Sequence, residues 1–180
     1  MNKKSMSTSD IAMAGLLMAL ITVMTYLVKI PVIATKGYVN IGDGFIFLTV
    51  LLVGHKQGGV VAGVGSGLSD FIGGYPHYVI PTFIIKFLMG YIMGLILKFG
   101  YARYKDEKKR KTVKFLSMII SAIIMVVGYF IAETIMYGSA GVALASAPMN
   151  VVQGSVGVII GMSLSAMLVK TSAKNKFLYK

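Results

Sequence analysis

The stretch IAMAGLLMALITVMTYLV, residues 11–28, runs for 18 residues without a charged side chain. As a helix it would be about 27 Å long at 1.5 Å per residue, close to the ~30 Å hydrocarbon core of a bilayer. No A-x-A-like cleavage site follows, so it reads as a retained helix and not a signal peptide. The rest of the chain agrees. Its 180 residues are 56% hydrophobic with a mean hydropathy of +0.79, more than a soluble domain of this size carries. There is no cysteine, which excludes disulfides, thiolate nucleophiles and cysteine-bound metal.

Working outward, the apolar runs suggest an all-α integral membrane bundle of six transmembrane helices forming one membrane domain over 1–180. The spans fall near 10–29, 42–54, 58–73, 79–98, 112–137 and 148–170. The net charge of +12 is a topology signal: fifteen of the eighteen Lys and Arg lie at Lys3 and Lys4, Lys56, Lys98 to Lys114, and Lys170 to Lys180. These groups alternate with the spans and put both termini on the cytoplasmic side by the positive-inside rule. The basic loop is therefore a solvated connector facing lipid headgroups, and nucleic acid is not expected as a partner.

The second and third spans are too short to be ordinary lipid-facing helices, so neighbouring protein must shield their ends. The third, GGVVAGVGSGLSDFIGG, carries Gly58, Gly59, Gly63, Gly65 and Gly67, a spacing that lets helix backbones approach closely. No G-x-x-x-x-G-K-[ST] motif occurs, so the chain carries no recognisable ATPase of its own. The H-E-x-x-H and G-x-S-x-G motifs are also missing, and an enzyme is unsupported. Nor is there an internal repeat of the kind that marks many secondary transporters.

Each span's direction sets the depth of its polar residues. The second span starts outside with Asp43, the third delivers Asp70 there, and the fourth reaches Lys86 about two turns in. The fifth presents Glu133 one turn before its outer end, and the sixth begins with Asn150 and Gln153. Ionisable groups within a membrane face a bundle interior or a wet cavity, so these residues define an outward-facing pocket. Asn40, Asp43, Tyr75 and His77 are placed at its mouth. Phe45, Tyr75, Tyr78, Tyr129 and Tyr137 suit a small flat ligand.

Other roles stay open. Asp43 and Asp70 are equally compatible with helix capping or pairing with loop lysines, and Lys86 with snorkelling or neutralising Asp70. Asn150 and Gln153 also fit interhelical glue. Two histidines on opposite faces argue against a metal site, and no cofactor is indicated. Glu133 is the carboxylate expected to read an amino or hydroxyl donor of the ligand.

Together, YVNIGDGFIFLTVLLVGHKQGGVVAGVGSGLSDFIGGYPHYVIPTFIIKFLMGYIMG (residues 38–94), GYFIAETIMYG and APMNVVQGSVGVIIG resemble the substrate-binding S component of energy-coupling factor (ECF) vitamin transporters. The likeness is to the riboflavin, hydroxymethylpyrimidine and pyridoxine-like branch and extends over nearly the whole chain. It implies a multi-pass protein of a bacterial cell membrane that captures a water-soluble vitamin outside. Its implied partners are a membrane scaffold subunit and two ATP-hydrolysing subunits. Family members dock through small residues of the first helix, commonly A-x-x-x-A. Here Gly15 and Ala19 with Ala12 come nearest, and internal packing is the rival role for that face. A hydroxymethylpyrimidine or pyridoxine-like ligand is favoured, with riboflavin next. A self-sufficient transporter or channel, or an intramembrane enzyme, is the alternative.

Overall fold

The computed structural model describes residues 7–169. Lys3, Lys4 and the basic run Lys170 to Lys180, on which the expected placement of the termini partly rests, lie outside them. Among the described residues, five helices are long and apolar enough to cross a membrane. They are α1 (Thr8–Leu27), α2 (Gly42–Ile72), α3 (Val79–Arg103), α4 (Glu107–Tyr137) and α5 (Ala140–Val169). A β-hairpin, β1 (Lys29–Val32) and β2 (Gly37–Asn40), joins α1 to α2, and a 3-10 turn, Pro76–Tyr78, precedes α3.

Local chemistry sets several of these ends. Ser7 caps α1 in a reciprocal capping box with Asp10, satisfying two donors that the first turn leaves open. Asp106 accepts from the Lys109 amide at 2.9 Å and caps α4. Gly138, at φ 61°, ends α4 in the left-handed conformation, where a side chain is disfavoured.

The expected second and third spans form one helical element, α2, interrupted at Gly54 with φ 81° and ψ −179°. This backbone setting is essentially restricted to glycine. It reverses the chain: a Cβ built on Gly58 would lie 3.0 Å from Val50 Cα, whereas eight residues of straight helix span about 12 Å. Ile46, Val61 and Ala62 likewise share one buried cluster with Leu17 and Ile21 of α1. The two arms of α2 therefore run antiparallel, with Asp43 and Asp70 near the same end.

The glycine ladder occupies the centre, as its composition predicts. Cβ atoms on Gly59, Gly63 and Gly67 would meet Phe87, Phe83 and Val79 of α3, and one on Gly65 would meet Met18 and Ile21 of α1. The main core lies between α2, α3, α4 and α5, around Phe47, Met89, Met93, Met118 and Met125, all buried.

Two expectations need correcting. The fold is not purely helical: Lys29 pairs with Asn40 and Val32 with Gly37 in an antiparallel ladder, as the β-branched residues of KIPV and GYVN favour. The last helix begins at Ala140, not at Pro148, which sits inside it. The uncharged GSAGVALASA stretch is rich in alanine, the best helix former, and becomes the first turns of α5. That shift brings Ser146 to the polar site.

Candidate functional site

The site is built from the ends of all five helices and from the hairpin above them. Its floor is an ion pair between Lys86 of α3 and Asp43 of α2, each 1% exposed. The second Asp43 oxygen accepts from Gln153 Nε2 at 2.9 Å, and Gln153 Oε1 accepts from the Asn40 amide at 2.9 Å. Asn40 Oδ1 in turn accepts from the Gly42 amide at 2.8 Å. Burying two charges is costly unless they are paired and their remaining hydrogen-bonding capacity is met, and this chain of contacts supplies partners from three elements. The pairing of Lys86 with Asp70, one of the roles left open by the sequence, is not the ion pair that forms.

Above this floor, Asn40, Asp70, Lys86, Glu133 and Asn150 line one enclosed cavity together with Thr25, Thr35, Ser66, Tyr78, Thr82, Tyr129 and Ser146. The space is about 20 Å³, room for roughly one water. Several polar side chains interrupt its otherwise apolar walls. Glu133 Oε1 accepts from Tyr78 OH at 3.2 Å, and Ser146 Oγ donates to Oε2. Tyr38 OH donates to Asp70 Oδ1 at 2.6 Å. Burial, then the nearby Asp70 charge and that hydrogen bond, push the Tyr38 phenol well above its usual range, so it stays a donor. The Thr82 hydroxyl lies near the Asp70 carboxylate and also shares a hydrogen bond of 3.1 Å with Tyr129 OH, in which either oxygen can donate. Three polar atoms on this wall are buried without a hydrogen-bond partner: Thr25 Oγ1, Ser66 Oγ and Asp70 Oδ2.

The hairpin closes the outer side. Thr35, at its tip, is 1% exposed, and its carbonyl accepts from Tyr137 OH and from Tyr78 OH at 3.4 Å. Lys29 lies over the rings of Tyr26, Tyr38 and Tyr75 at 4.4, 4.6 and 5.3 Å, a cation–π contact that ties the hairpin to the segment before α3.

The residues singled out from the sequence therefore separate into three groups. Asn40, Asp70, Lys86, Glu133 and Asn150 share the cavity wall, while Asp43 and Gln153 sit behind it. Tyr75 and His77 are outside: Tyr75 packs on Tyr38 at 4.8 Å, and exposed His77 packs on Tyr78 at 4.8 Å. Sequence reasoning missed Thr25, Thr35, Ser66, Thr82 and Ser146. Their only signal is a hydroxyl in an apolar run, which a lipid-facing Ser or Thr bonded to its own helix would also give. Ala12, Gly15 and Ala19 are all exposed, and a Cβ on Gly15 would meet nothing within 4 Å. That face of α1 does not pack inside the bundle. Among the described residues, no cluster of three or more His, Asp or Glu could hold a metal ion.

The family described as "ECF-type riboflavin transporter, S component" matches residues 5–170. The chain belongs to this family. These proteins are multi-pass transport subunits of the membrane and not enzymes. An uncharacterised protein of Pyrococcus woesei is 39% identical over 150 residues, 83% of this S component and 95% of that protein. The thiamine precursor transporter HmpT of Lactococcus lactis subsp. cremoris (strain MG1363) is 30% identical over 166 residues, 89% of this chain and 90% of its own.

Proposed function

We propose that this chain is the specificity subunit of an ATP-driven importer and binds a water-soluble vitamin or precursor in the cavity beneath the hairpin. One observation carries the reading: buried polar side chains from distant stretches converge on a single enclosure, three of them with unmet hydrogen-bonding capacity. Unsatisfied buried polar atoms are costly, and a ligand that pairs with them offsets that cost. Asn40, Asp70, Lys86, Glu133 and Asn150 are the proposed contacts. Asp43 and Gln153 hold Lys86 in place, and Tyr75 and His77 sit on the segment that covers the cavity.

Within this reading a single substituted ring, hydroxymethylpyrimidine or pyridoxine-like, is favoured over riboflavin because it needs the smaller enlargement of the enclosure of about 20 Å³. The thiamine precursor transporter HmpT among the relatives supports the same choice. Even a single ring enters only after the hairpin and the Tyr75 to Tyr78 segment swing outward, releasing the Tyr137 and Tyr78 contacts to Thr35.

In this proposal the chain is one membrane unit with six passes, the arms of α2 counting separately, and both termini are cytoplasmic. A membrane scaffold subunit and two ATP-hydrolysing subunits supply the energy, and the exposed small-residue face Ala12, Gly15 and Ala19 meets the scaffold. The test is purification of the full chain in detergent and mass spectrometry of co-purified small molecules. A bound pyrimidine or pyridine supports the assignment; uptake by vesicles containing this chain alone refutes the division of labour.

A further inference from the structure

Asp70 and Glu133 are the two carboxylates on the cavity wall, and they differ in what they have left to offer. Both Glu133 oxygens are engaged, one by Tyr78 and one by Ser146. Asp70 accepts from Tyr38 at Oδ1, while Oδ2 has no partner although the residue is only 4% exposed. Lys86 and Lys29 act on Asp70 through space, but the direct partner of Lys86 is Asp43, and Lys29 lies over the tyrosine rings. Ser66 precedes Asp70 by four residues on the same helix and so shares its face. Thr25 of α1 faces the same cavity, and the hydroxyl oxygens of both residues also lack partners.

A carboxylate oxygen can only accept, whereas a hydroxyl can donate or accept. Asp70 Oδ2, on the same cavity wall as Ser66 and Thr25, therefore complements an edge that presents an N–H next to a ring acceptor. An exocyclic amine adjacent to a ring nitrogen has this pattern. A carbonyl in place of the amine sets an acceptor against Oδ2 and moves the donor to the neighbouring ring N–H, out of register with the carboxylate; sites built around a hydrogen bond reject such an exchange strongly.

We propose that Asp70, with Ser66 and Thr25, is the specificity edge of the cavity and selects aminopyrimidine-type ligands over their oxo counterparts, while Glu133 fastens the cover. This rests on the reading of the chain as a vitamin-binding subunit and moves donor recognition from Glu133, where the sequence placed it, to Asp70.

The test is calorimetry on the full chain in detergent with 4-amino-5-hydroxymethyl-2-methylpyrimidine and its 4-oxo analogue, on wild type, Asp70→Asn, Ser66→Ala and Glu133→Gln. Wild type should prefer the amino compound by about 10- to 100-fold, the worth of a hydrogen bond to a charged group. Asp70→Asn keeps the volume but can present an N–H, so the preference should collapse or invert. Ser66→Ala, which leaves the charge untouched, should narrow it. Glu133→Gln should lower both affinities by the same factor. Equal losses for both compounds in Asp70→Asn, or an inversion carried by Glu133→Gln, overturns the assignment. If wild type binds both compounds equally, only this inference fails; if it binds neither, nor any other vitamin-sized heterocycle, the vitamin-binding reading fails with it.

Discussion

Replacing Asp43 by Asn should destabilise this protein far more than a typical surface change. The carboxylate and the Lys86 ammonium are both 1% exposed, and the nearest aromatic support for the ammonium is the Tyr129 ring at 5.5 Å. Asparagine retains one acceptor where aspartate offers two, so it cannot serve both Lys86 and Gln153, which donates at 2.9 Å. Breaking a buried pair by removing one partner costs about 3 to 5 kcal/mol, because the other charge stays buried. At roughly 2 to 4 °C per kcal/mol for a chain of this size, Tm should fall by about 6 to 20 °C. The assay is thermal unfolding followed by circular dichroism at fixed detergent concentration. A paired substitution, Asp43→Leu with Lys86→Met, removes both charges and should recover most of the loss. If Asp43→Asn melts within about 2 °C of wild type, or the paired variant melts below Asp43→Asn, the reasoning is wrong.

Two further outcomes are expected. Gly54→Ala forces a side chain into φ 81° and ψ −179°, at a cost of about 1 to 3 kcal/mol; a Tm unchanged from wild type would show that the reversal does not depend on glycine. Gly15→Leu fills open space on α1 and should leave ligand affinity of the isolated chain within about twofold, while uptake by cells carrying the energising module drops severely. A matching loss of affinity would place that face inside the bundle.

The depth of the polar groups was legible because helical rise converts position in a span into height, and this is why Asp70, Lys86, Glu133 and Asn150 could be set at one level. Rotation about each helix axis was not legible. It decides that Lys86 meets Asp43, that Ser146 meets Glu133, and that Asp70 keeps one oxygen unpaired. The hairpin was hidden for a different reason: in a chain this apolar, KIPV and GYVN resemble frayed helix ends, and only their β-branched residues and the ATKG turn mark a ladder. Gly54 was read as the end of a span because it precedes His55 and Lys56. That so little chain suffices for the reversal follows from a backbone angle and not from composition.

The one-residue reversal at Gly54 has a mechanical result. A long linker would let its flanking segments tilt independently, but here there is no slack to absorb a difference. Asp43 rides on one limb of this clasp, with Ser66 and Asp70 on the other, so a displacement of the limb holding the ammonium reaches the limb that lines the cavity through a single residue.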